Sequence, residues 1–287
     1  MTTLPMHILK SAARYKTIEA DGLHLYPIVV KDYDEFLIAR PALEVMHQSL
    51  PVAMLRVPLL SALYQMDYDA IMSGTQPSGL FSRALLALAL ALRLGDGESI
   101  EERLKLFQVA VDRENPSKLT RLRFITEQGE YREINPVSYA LLRQIIAVQN
   151  GVEIESDQAN PAIVKAKKDM EEANSIALDI NVDSLINAVS TLSNLDESEI
   201  DEWPILKLQK RAEAYRRILD YMVCGFGEVN GTSWKGGNPT PHPFFARSKG
   251  GSLTASLLPE PDGENPLQAH KDEMRIIEQQ INTHKPN

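Results

Sequence analysis

The chain has 287 residues, 44% of them hydrophobic, and a formal net charge of −9. That length supports one large domain or two modest ones with a sizeable core. The acidic balance argues against a nucleic-acid binder, and the single cysteine, Cys224, excludes an intrachain disulfide framework and suits a reducing compartment.

The first sixteen residues, MTTLPMHILKSAARYK, hold no apolar run long enough for a signal peptide, so a cytoplasmic protein is expected. YKTIEADGLHLYPIVV (15–30) predicts a β-hairpin, with Asp21-Gly22 as its turn. Asp32 and Glu35 have the spacing of a capping box for the next helix, which Pro41 should break or kink. Residues 51–94 are expected to be mostly helical, punctuated by Pro58 and by a loop at 73–79. LFSRALLALALALRL (80–94) is apolar nearly all round, so it predicts a buried helix. It is too short for a bilayer and carries Arg83, so no membrane partner is expected.

Ser99 and Glu102 repeat the capping-box spacing. The hydrophobic period then changes over 108–136. Leu122, Phe124 and Thr126 alternate with Arg121, Arg123 and Ile125, which predicts a hairpin over 119–134 turning at 127–130. Residues 136–152 return to helix, with Pro136 in the first turn and Gly151 at the C-terminal cap.

After the acidic stretch EIESDQANP the pattern is helical. Residues 181–194 place Leu185, Ile186, Val189 and Leu192 on one face, and 196–226 predicts a helix with an acidic start. WKGGNPTPHPFFARSKGG (234–251) follows, an irregular arm rich in Pro, Gly and aromatic residues. The fold expected is α+β and predominantly helical. Residues 1–152 form an α+β N-terminal domain with β-hairpins, 161–226 a C-terminal helical module, 227–265 the arm, and 266–287 a short helix and tail.

No catalytic motif is present: no G-x-S-x-G, no phosphate-binding loop and no dinucleotide fingerprint. No two histidines stand at i, i+3 or i, i+4, so no helix-borne metal pair is expected. The acidic groups DGESIEER and DESEIDE sit where helices begin, and capping explains them without a ligand. The expectation is a non-enzyme with no catalytic residue, no metal and no cofactor.

DINVDSLINAVSTLSN followed by an acidic segment, IDEWPILKLQKR and a second helix with Arg216-Arg217-Ile218 (179–226) resembles the C-terminal part of tail assembly chaperones of tailed phages and prophages of Gram-positive bacteria. KTIEADGLHLYPIVVKDYDEFL (16–37) is similar to the start of such proteins. The resemblance implies a non-enzymatic role in the host bacterial cytoplasm. The chaperone coats the tape-measure protein, a very long, partly hydrophobic helical chain, and keeps it soluble until tail-tube protein polymerises around it. Self-association is a further expected partner interaction. On this reading Trp234, Phe244 and Phe245 of the arm are partner anchors, and Leu185, Val189, Leu192 and Tyr215 are the next contact surface. The alternative is a structural virion component, a tail, neck or baseplate subunit, whose arm bridges neighbouring subunits.

Overall fold

The computed structural model describes residues 4–126, 129–154, 166 and 181–230, all within one compact unit. The fold is α+β and predominantly helical, with two small antiparallel sheets in the N-terminal half and helices after them. The arm, the C-terminal helix expected after it and most of 155–180 lie outside the described residues.

Helix α1 (Met6–Ala13) leads into strands β1 (Ile18–Ala20) and β2 (Leu23–Leu25). Asp21 and Gly22 both take positive φ, 52° and 71°, as a two-residue hairpin turn of the kind expected from the Asp-Gly pair requires. Helix α2 (Tyr33–Glu44) runs through Pro41 and ends only three residues beyond it, so the expected break does not occur there. Phe36, Ala39, Ala42 and Leu43 are buried on either side of the proline, and that packing holds the helix together. The capping box at its start is also corrected. Asp32 makes no side-chain cap bond. It accepts instead from Arg103 Nη2 at 3.2 Å.

Residues 51–58 contain a single 3-10 turn (Val52–Met54) rather than extended helix. Helix α3 (Leu59–Met72) begins after Pro58, and α4 (Leu80–Leu92) follows the loop. As its composition predicts, α4 is the centre of the core, with every residue from Ala84 to Ala91 buried. Its exposed N-terminal amides would be costly in that setting. Asp67 of α3 satisfies them, accepting from Gly79 N at 3.1 Å and Phe81 N at 3.2 Å. Helix α5 (Ile100–Lys105) is capped as expected: Ser99 Oγ accepts from Glu102 N.

Strands β3 (Gln108–Val111), β4 (Leu119–Ile125) and β5 (Tyr131–Ile134) form a sheet in the order β3-β4-β5. The β4–β5 hairpin matches the alternation at 119–134, and its tip, residues 127–128, lies outside the described residues. Leu119, Leu122, Phe124 and Ile134 turn into the core. Helix α6 (Tyr139–Gln149) starts three residues after Pro136, and Gly151 follows its end at φ 71°. Polar side chains of α6 tie the layers together. Arg143 donates to the Leu43 and Val45 carbonyls at the end of α2, and Gln149 Nε2 donates to the Lys16 and Leu25 carbonyls.

Two buried polar groups generate predictions. The Tyr139 hydroxyl is fully buried without a hydrogen-bond partner among the described residues, and burial pushes its pKa well above the usual phenol value. An unsatisfied buried hydroxyl costs about 1–3 kcal/mol. Tyr139→Phe should therefore raise the thermal midpoint by about 2–4 °C per kcal/mol regained, measured by calorimetry; a fall would mean that the hydroxyl is bonded.

Arg103, 2% exposed, is the cation for two carboxylates, Asp32 and Glu35. Its Nε lies 3.2 Å from Glu35 Oε2, yet its hydrogen points to the Glu98 carbonyl, so Glu35 Oε2 gains the charge without a hydrogen bond. Burial raises the pKa of both acids, and Arg103 opposes that shift. Arg103→Met should cost roughly 3–5 kcal/mol at neutral pH, because it strands buried charge. Acids with raised folded-state pKa values lose their destabilising charge as pH falls through those values. The deficit of the variant relative to the parent should therefore shrink between pH 7 and pH 4 in denaturant titrations. A constant deficit would contradict this account.

Candidate functional site

The helical module is built from three helices: α7 (Val182–Ser193), α8 (Glu197–Asp201) and α9 (Ile205–Val229). Each boundary has a local cause. Asn181 Oδ1 caps α7 by accepting from Ser184 N at 2.8 Å, and Asn194 ends it at φ 53°. Asp196 caps α8 by accepting from Ser198 N at 2.9 Å, so the DESEIDE acids serve helix starts. Trp203-Pro204 separates α8 from α9, since a residue before proline disfavours the helical region. The helix expected over 196–226 is therefore two helices, and the second runs to Val229, three residues into the stretch assigned to the arm.

A short β-like clamp joins this module to the hairpin region. Val30 N donates to the Trp203 carbonyl and Ile205 N donates to the Ile28 carbonyl, each at 2.9 Å, around a Val29–Pro204 bridge. Asn150 Oδ1 holds the same segment by accepting from Ile28 N at 2.9 Å. Lys31 adds an ion pair to Glu202 at 3.1 Å. The YPIVVKD and DEWPI stretches thus meet at this clamp.

Behind the clamp lies a second small core. Val30, Val189, Ile200 and Leu208 are buried, with Leu185, Ile186, Trp203, Ala212 and Tyr215 packed around them. Lys207 Nζ sits 3.6 Å from the centre of the Trp203 ring, and Lys210 Nζ lies 5.3 Å from that of Tyr15. Burial lowers the pKa of both lysines.

This arrangement reassigns the surface expected from sequence. Val189 is fully buried, and Leu185 and Tyr215 pack against it, so they hold the module together. Leu192 is 47% exposed at the far end of α7. Trp234, Phe244 and Phe245 lie outside the described residues.

The apolar surface of α9 lies further along. Leu208, Ala212 and Tyr215, which pack in the second core, begin a 4-3 spacing that continues through Leu219, Met222, Phe226 and Val229. That is one face of a helix, repeating every seven residues. Its first half is covered. Its second half is open: Leu219 is 47% exposed, Met222 49%, Phe226 63% and Val229 85%, with Val223 beside them at 69%. Gly225 stands in this stretch although a Cβ there would meet nothing within 4 Å. A helix-interior glycine costs about 1 kcal/mol relative to alanine, and no contact in the described fold requires it. The spacing was visible in YRRILDYMVCGFGEV; what the sequence did not reveal is where its cover ends.

Among the described residues no group of three or more His, Cys, Asp or Glu could hold a metal ion, and no helix is long and apolar enough to cross a membrane. No protein-family model matches the chain, and no curated protein or solved structure matches it either.

The covered and open halves of α9 should respond differently to truncation. Leu208→Ala should lower stability by roughly 2–5 kcal/mol, the range for a buried leucine. Phe226→Ala should change it by less than about 0.5 kcal/mol, as for an exposed position. Chemical denaturation of the two variants checks this, and equal losses would show that Phe226 is packed in solution.

Proposed function

We infer that this protein is a non-enzymatic binding protein that captures a helical polypeptide along the open half of α9, and that its partner is the tape-measure protein of a phage tail. The carrying observation is the apolar seam that leaves the module's core at Tyr215 and continues bare to Val229. An amphipathic helix laid on such a seam buries its own apolar face by the helix-in-groove mode. The resemblance of 16–37 and 179–226 to tail assembly chaperones supports the tape-measure protein as that helix, and the host cytoplasm as the place where the two meet. In this role the protein holds the tape-measure chain soluble until tail-tube protein encloses it.

Co-expression with the tape-measure protein, followed by a solubility assay and pull-down, tests the reading. Charged residues on the open seam, Met222→Glu with Phe226→Glu, should leave the thermal midpoint within about 1–2 °C of the parent, since exposed sites tolerate substitution. They should reduce capture at least about tenfold, the effect of losing roughly 1.4 kcal/mol. Undiminished capture would remove α9 from the binding surface. Many copies of the protein in purified mature particles would favour the structural-subunit alternative instead.

A further inference from the structure

A second surface feature stands apart from α9. A cleft of about 170 Å³ opens between the β1–β2 turn, the end of α4 and the β4–β5 hairpin. Buried Leu23 and Phe124 line it, and His24, Tyr26, Arg93 and Arg132 contribute polar groups. Arg132 is ion-paired with Glu130 at 2.5 Å. Arg93 lies 4.7 Å from the centre of the Tyr26 ring. Among the described residues it has no ion-pair or hydrogen-bond partner for its guanidinium.

The backbone at Arg93 makes that placement unusual. Arg93 follows the last turn of α4 at φ 56° and ψ 38°, and its N–H bonds back to the Ala89 and Leu90 carbonyls. This left-handed position after a helix is one that glycine favours, because a side chain there crowds its own backbone. A long cationic residue occupies it and is held against an aromatic ring. Backbone strain of this kind collects at functional sites. The cleft also has two guanidiniums to one carboxylate, in a chain of net charge −9.

We propose that this cleft receives a single carboxylate side chain, a glutamate or aspartate of a bound polypeptide. The volume fits one side chain and falls below the roughly 300 Å³ at which small-molecule pockets begin. The Arg93 guanidinium, held 4.7 Å from the centre of the Tyr26 ring, is a planar fork of N–H donors of the kind that matches a carboxylate in bidentate fashion. Leu23 and Phe124 supply apolar surface for the methylene groups of the incoming side chain.

The test needs no partner protein, so it is independent of the tape-measure reading. The isotope-labelled full chain is titrated with N-acetyl-glutamate amide and, separately, with inorganic phosphate, and followed by amide chemical shifts. Saturable shifts around Gly22, Arg93 and Thr126 are expected with the glutamate probe and should vanish in Arg93→Gly. That variant should keep or raise the thermal midpoint, because glycine suits the backbone there, so its loss of binding is not unfolding. Arg93→Lys retains the charge without the fork and should weaken binding by about threefold or more. If Arg93→Gly melts lower, Arg93→Lys alone decides. The proposal is overturned if no saturable shifts appear, if they persist in Arg93→Gly (or, where that variant is unstable, are unchanged in Arg93→Lys), or if phosphate binds more tightly than the carboxylate.

Discussion

The architecture depends on keeping α4 out of water. Every residue from Ala84 to Ala91 is apolar and buried, so this stretch of the helix has no face to offer solvent. A surface helix needs cover on one stripe; this one needs it all round. Helices α2, α3 and α5 and strand β2 all pack against it. That demand recruits the polar groups around it. Asp67 closes its N-terminal amides, and the αL turn at Arg93 closes its last carbonyls. The hairpin region stays in register with this core because Tyr26 N donates to the Ala91 carbonyl at 2.8 Å.

From that core the path to α9 is short. Residues 28–30 follow directly from the hairpin, and they grip Trp203 and Ile205 through main-chain bonds. Main-chain bonds between segments far apart in sequence fix register more firmly than side-chain contacts do, because their spacing is set by the backbone. The clamp places the start of α9 on the domain, with Ile205 in the main core and Leu208 in the second one. The rest of α9, from Tyr215 to Val229, continues from that base. The same seven-residue repeat that stabilises the module at Leu208 and Ala212 is left open at Met222 and Phe226, so the module and the proposed binding face share one pattern.

Much of this was readable in local patterns. The Asp-Gly turn, the Leu/Ala helix, the Ser99 cap and the 119–134 alternation each depend on neighbours in sequence, and each stands in the structure. The misses came where distant residues intervened. Asp32 and Glu35 have capping spacing, but Arg103, 71 residues away from Asp32, takes them for an ion-pair cluster. Pro41 reads as a breaker, but the burial of Ala39, Ala42 and Leu43 holds α2 together around it. The second core shows the same limit. Leu185, Val189 and Tyr215 carry a helical apolar spacing that cannot distinguish a face covered by its own chain from one left open. Strand β3 was missed as a separate strand because QVAV is short and its pairing partner fixes it.

The open seam is small, and its size bears on how it would work. Fully burying an exposed apolar side chain contributes roughly 1.5–3 kcal/mol, and Leu219, Met222, Val223, Phe226 and Val229, already partly covered at 47–85% exposure, together offer about 5–9 kcal/mol before costs. Association itself costs an estimated 4–15 kcal/mol in lost freedom. One copy on one helix would thus bind weakly. A second anchor on the same chain, such as a carboxylate seated at Arg93, raises the effective concentration at the seam without enlarging it. A very long helical partner provides the same gain by offering many equivalent sites, so a departing copy meets another site before it escapes. Weak single contacts have a further consequence for a chaperone. In the proposed tail-assembly role its copies would have to leave when tail-tube subunits arrive, and a seam of five partly exposed side chains can be displaced one copy at a time, whereas a nanomolar interface would hold the proposed partner against its own assembly.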